Sequence, residues 1–168
     1  MNRTDMASSR HCRAFVNRVT ALLTAITIVV ATFVTGAWTA STASATTVES
    51  TFIAKLNYAR ASRDIPRLHT RAMLTKVARE QANRMAERNT LYHNPRLTSD
   101  VPNWRWVGEN VGYGPDVITI HVAFMQSPGH RANILDRDYT QVGVGAVVRD
   151  GRVWVAEVFR RPLRSRTS

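Results

Sequence analysis

Residues Gln141 to Arg160 read QVGVGAVVRDGRVWVAEVFR, and the Asp150-Gly151 pair at the centre of this stretch sets the architecture. Two runs rich in β-formers, Gln141–Arg149 and Arg152–Arg160, are joined by two residues that accept left-handed backbone, the signature of a tight hairpin with positive φ in its turn. That turn pairs Val148 with Val153, Ala146 with Val155 and Val144 with Glu157. Alternate residues then point to opposite faces, and because both faces are largely apolar, both must be covered. The expected fold class is α+β: a three-layer α-β-α sandwich with a small, mainly antiparallel central sheet.

The covering helices are legible upstream. From Val48 to Ser62 the apolar residues Phe52, Ile53, Leu56 and Ala59 recur at helical spacing, and Arg63-Asp64-Ile65-Pro66 ends the pattern. A second helix, capped by Thr70, places Met73, Leu74, Val77, Ala78, Gln81, Ala82 and Met85 on one face and a row of charged residues on the other. These two helices are expected to pack in one layer. A third opens at Asp116, turns Val117, Ile120 and Phe124 inward with His121 beside them, and stops at Ser127-Pro128-Gly129, after which Arg131 to Leu135 is expected to form an anchoring turn. Between them, Trp104 to Tyr113 (WRWVGENVGY) is too rich in glycine and aromatics for a surface helix and reads as a short strand or extended segment.

The N-terminus has a different composition. Arg3, Arg10, Arg13 and Arg18 stand against one acid, Asp5, and an apolar run from Ala21 to Val34 follows, the order of a secretory signal. Ala43-Ser44-Ala45 supplies an Ala-x-Ala cleavage site, which divides the chain into a signal over 1–45, a folded domain over 46–160 and a basic tail over 161–168. The alternative is an uncleaved anchor, since Ala21 to Ala37 is nearly long enough to span a bilayer; only in that form is membrane contact expected. The single cysteine, Cys12, lies in the signal, so the exported domain has no disulfide and its core must suffice. Setting aside the signal's charges, the 23 basic and 12 acidic residues leave a net charge of about +8. In an exported, monomeric domain without a nucleic-acid motif, that charge points to anionic lipid or cell-wall polymers as partners.

Three polar residues lie where the backbone is constrained. His93 follows the second helix just before Asn94-Pro95, Glu109 lies between Gly108 and Asn110, and His130 follows Pro128-Gly129. Should they converge, two imidazoles and a carboxylate can hold a divalent ion such as Zn²⁺ and leave a position for water; each could equally be a structural hydrogen-bonder. Glu157, in mid-strand, is either a partly exposed edge residue or a second carboxylate for the same cleft.

The motifs Leu91-Tyr92-His93-Asn94, Gly108-Glu109-Asn110-Val111, Phe124-Met125-Gln126-Ser127-Pro128-Gly129-His130-Arg131-Ala132-Asn133-Ile134-Leu135 and Val142-Gly143-Val144-Gly145 occur in that order. Together they resemble the CAP superfamily of cysteine-rich secretory, antigen 5 and pathogenesis-related 1 proteins, in its bacterial SCP-like branch. The resemblance implies the same sandwich, with an open cleft holding a His-Glu-Glu-His set that can bind zinc or another divalent ion. His93, Glu109 and His130 match three of the four positions, with the histidines as metal ligands and Glu109 as the residue that would activate water. Ser127 stands where the animal and plant members have the second glutamate, and a hydroxyl is a poor base. Asn110, Asn133 and Tyr139 are placed around the cleft as hydrogen-bonding neighbours. Three functions follow as expectations: a secreted or envelope-associated module binding a lipid or wall-derived ligand in the cleft or a nearby apolar groove, a metal-dependent hydrolase of peptidase type, and a non-catalytic extracellular scaffold.

Overall fold

The computed structural model of the protein describes residues 39–164. Residues 1–38, which hold most of the signal expected over 1–45, and residues 165–168 at the end of the basic tail lie outside the described residues. Helix α1 (Thr39–Ala61) is followed by a two-residue strand β1 (His69–Thr70), helix α2 (Ala72–Arg88), a short helix α3 (Leu97–Asp100) and strand β2 (Trp104–Gly114). Helices α4 (Val117–Gln126) and α5 (Pro128–Leu135) then lead into strands β3 (Gln141–Arg149) and β4 (Arg152–Pro162). No helix among the described residues is long and apolar enough to cross a membrane.

The hairpin has the register its turn dictates. Asp150 and Gly151 take φ values of 50° and 70°, and Val144 faces Glu157, Ala146 faces Val155 and Val148 faces Val153. The sheet order is β1-β3-β4-β2, antiparallel except for the short parallel β1–β3 pair, so β2 is an edge strand and β4 is central. Strand β2 covers the segment Trp104 to Tyr113 that was expected to be extended, with Gly114 added.

Side chains from β4 divide the core. Val153, Val155 and Phe159 join Phe52 and Leu56 of α1, Ile120 and Phe124 of α4 and Ile134 of α5. Trp154, Ala156 and Val158 join Leu74, Val77, Ala78 and Met85 of α2. The sandwich is therefore as expected, but α1 and α2 cover opposite faces instead of sharing a layer. The reason lies in β3: a Cβ at Gly143 or Gly145 would overlap the α2 backbone at Leu74–Thr75 or Ala78–Arg79, so this bare side of the strand is where a helix backbone can settle directly on the sheet.

Two helix starts also differ from the sequence reading. Arg71, not Thr70, is the N-cap of α2, because Thr70 is taken into β1 and the Arg71 N–H bonds to the Val142 carbonyl. At the other joint, Pro128 does more than stop α4. Its fixed φ suits the first position of a helix, and α5 starts on it, so His130 sits in a helical first turn and the residues after it are helix and not turn. Asp116 caps α4 as expected, accepting the Thr119 N–H at 2.8 Å.

Candidate functional site

The edge strand β2 organises the site, because its consecutive residues face opposite ways. Glu109 faces the side of α2, where its Oε2 lies 2.9 Å from His93 Nδ1 and accepts the Asn94 N–H at 2.9 Å. The loop carrying His93 is held from three directions. Buried Gln81 of α2 donates to the Tyr92 carbonyl at 2.6 Å, Asn94 donates to Asp100 at 3.0 Å, and the Arg96 N–H returns to Asn94 Oδ1. His93 itself remains exposed, so its ring is oriented by Glu109 while its far edge faces solvent.

Asn110 faces the other way, toward α5. Its Nδ2 donates to the His130 carbonyl at 3.2 Å and to Glu157 Oε2 at 3.0 Å, and its Oδ1 accepts from Asn133 at 2.9 Å. Asn133 also donates to the Glu109 carbonyl at 3.2 Å. The His130 ring packs on Phe124, with centroids 4.7 Å apart, and lines a pocket of about 290 Å³ with Leu91, Val111, Gly112, Ile120, Phe124 and Ser127. Tyr139 is buried, stacks on Phe159 and holds its hydroxyl over Gly108.

The histidines thus reach the β2 edge from opposite faces of the sheet. They are close enough to sense each other: His130 is held below the usual histidine range by its burial and then by the charge of His93. Glu109 is pushed up by burial, against the opposing effects of the Asn94 N–H and His93, and its Oε1 is buried without a partner. Among the described residues no three His, Cys, Asp or Glu side chains are grouped as a metal would need. The arrangement offers two imidazoles, one of them braced by a carboxylate in the manner of a carboxylate–histidine ligand pair.

Glu157 fits neither reading made from its sequence position. It is fully buried in the central strand, and burial pushes its carboxyl up to about 7 despite the Asn110 hydrogen bond. His69 lies exposed in β1. His121 lies on the outer side of α4, held below the usual range by burial and by Lys55, with Nδ1 buried and unpartnered. It borders a groove of about 600 Å³ between α1 and α4, lined by Ala54, Lys55, Tyr58, Ala59, Arg63 and Met125 among others. Reasoning from the inward stripe of α4 missed this groove. Its signal was an apolar residue of that helix off the inward stripe, Met125, together with the exposed Tyr58 of α1.

Comparison with known proteins gives these features a setting. Over an alignment of 134 residues the chain is 28% identical to the uncharacterized protein YkwD of Bacillus subtilis, with 73% of this chain and 51% of that protein covered, so the chain spans about half the length of this curated relative. The fold resembles an extracellular SCP-domain protein of Bacillus anthracis, with a TM-score of 0.62, 24% identity and coverage of 70% of this chain and 41% of that one. It also resembles an outer surface protein of Borrelia burgdorferi, with a TM-score of 0.62, 18% identity and coverage of 67% and 91%. Residues 53–158, well over half of the chain, match the cysteine-rich secretory protein (CAP) family model, and the chain belongs to that family.

Proposed function

We propose that this protein is an extracellular or envelope-associated binding module whose ligand is an amphiphile with a linear apolar chain and an anionic head. The observation that carries this reading is the groove between α1 and α4. Its volume, about 600 Å³, is that of a small-molecule site, and its floor is apolar (Ala54, Ala59, Met125) under the exposed ring of Tyr58. Lys55 and Arg63 stand on its lining as cations for a carboxylate or phosphate head.

The cleft supports binding better than hydrolysis. A general base must reach the water it activates, whereas the Glu109 side chain is 2% exposed with one oxygen committed to both His93 and Asn94. His93 and His130 are the residues that would hold a divalent ion such as Zn²⁺, with Glu109 fixing the tautomer of His93 and solvent completing the coordination. Bound there, the ion would supply an electrophilic anchor for an anionic group.

The test is titration of the protein with a fluorescent long-chain fatty acid. Saturable binding is expected, weakened at least about tenfold by Ala54→Trp, which fills the groove from an exposed position. Zn²⁺ titration of the same variant should match wild type. Equal fatty-acid binding by Ala54→Trp, or no saturable binding by wild type, would transfer support to the scaffold reading.

A further inference from the structure

Helix α5 is not held to the sheet by apolar contact alone. Its first turn and its middle are fastened to β2 by one carboxamide, Asn110, which uses both of its N–H groups and its oxygen: on the His130 carbonyl, on Glu157 and on Asn133. Two of these three partners are themselves neutral amides. The third, Glu157, is a carboxyl with no exposure, one oxygen on Asn110 and the other, Oε1, without any partner. A carboxylate in that place would be a bare buried charge, whereas the neutral acid is only a modestly under-satisfied hydrogen-bonding group.

We propose that Glu157 is a positioning residue for the cleft, acting as a neutral acid that orients Asn110 and through it seats α5 and His130 on the edge strand. No counter-charge is available to change that role. The titratable or charged groups on the elements packed over this face are His130 and Arg131 on α5, His121 on α4, Glu49, Lys55, Tyr58 and Arg60 on α1, and Tyr139 before β3. Among the described residues none of them makes an ion pair with Glu157. Glu109, beside Asn110, faces the opposite side, where it engages His93. The neighbours of Glu157 on the strands to either side are Val144 and Asn110, both uncharged.

The consequence is a grip on α5 that weakens as pH rises. When α5 lifts and water reaches the carboxyl, Glu157 returns to an ordinary carboxylate range, so opening is favoured by deprotonation. The folded-state value is raised, so the stabilising effect is complete below the usual range near 4.5, falls as pH climbs, and is exhausted above about 7. Peptide-resolved hydrogen exchange on the full chain, corrected for intrinsic rates, reads this directly. Between pH 6 and pH 8 the opening equilibrium of α5 should rise about tenfold relative to that of α2. Glu157→Gln, which keeps an acceptor for Asn110 and cannot ionise, should hold α5 equally at both pH values, and Glu157→Leu should loosen α5 at both. A wild-type α5 whose relative protection does not change with pH, or the same pH response in Glu157→Gln, overturns the proposal. Should Glu157→Leu fail to fold, the wild-type and Glu157→Gln pair still decides it.

Discussion

On the α2 side of the sheet, helix and strand meet backbone to backbone over Gly143 and Gly145, while on the α5 side the space between helix and strand is filled by Asn110, Asn133 and Glu157. The first contact has no room to give, since any side chain at either glycine would overlap α2. The second is made of hydrogen bonds that can be exchanged for water. Both histidines of the cleft follow this division. His93 is braced from the fixed side by Gln81 and Glu109, and His130 rides on the helix fastened through amides. The two walls of the cleft therefore have unequal stiffness, and adjustment to a ligand belongs to the α4–α5 wall. The apolar groove lies on that wall too, against α4.

The comparison breaks most sharply at Gly145. Gly145→Val drives a branched side chain into the Ala78–Arg79 backbone and should cost about 3 kcal/mol or more, read from the urea midpoint, because neither strand nor helix can move away. A change under about 1 kcal/mol would show that the α2 face yields and that the walls do not differ.

A smaller and more local effect is expected at Arg60, the counterpart of Glu157 on the same side of the sheet. It too is fully buried without a carboxylate partner, but its guanidinium donates to the carbonyls of Pro66, Ile134, Asp136 and Tyr139, which tie the end of α5 to α1. Arg60→Met keeps the apolar stem and removes the donors, at about 2 kcal/mol, with exchange protection lost around Ile134–Tyr139 before it is lost in α2. Uniform loss across both helices would mean that the two faces open together.

Much of this was legible from sequence where the determinants are local. The hairpin register follows from Asp150-Gly151 alone, and the apolar stripe read for the second helix is buried in α2, with Ala86 added and Met73 only partly covered. Which face of the sheet each helix takes was not legible from the stripes, since an apolar stripe fits either face. The alternation of Val142 and Val144 with Gly143 and Gly145 held that information. Pro128 was ambiguous for a physical reason, because proline both ends one helix and suits the first position of the next. In the site, constrained backbone and the family resemblance singled out His93, Glu109 and His130, and the structure pairs His93 with Glu109 and sets the His130 carbonyl on Asn110. The supports were not legible: Gln81 read as one more member of a helix stripe, and Glu157 as either an edge residue or a second carboxylate for the cleft. Their roles come from long-range packing that spacing does not encode.

Ligand entry between α1 and α4 can be read residue by residue from a ¹H–¹⁵N NMR titration of the protein with a long-chain fatty acid. Saturable shifts are expected at Ala54, Tyr58, His121 and Met125, smaller ones along α5, and none at Leu74–Arg79 of α2. Shifts centred on the α2 face or on the Tyr92–Asn94 loop with the groove residues unmoved, or no shifts at all, would contradict it.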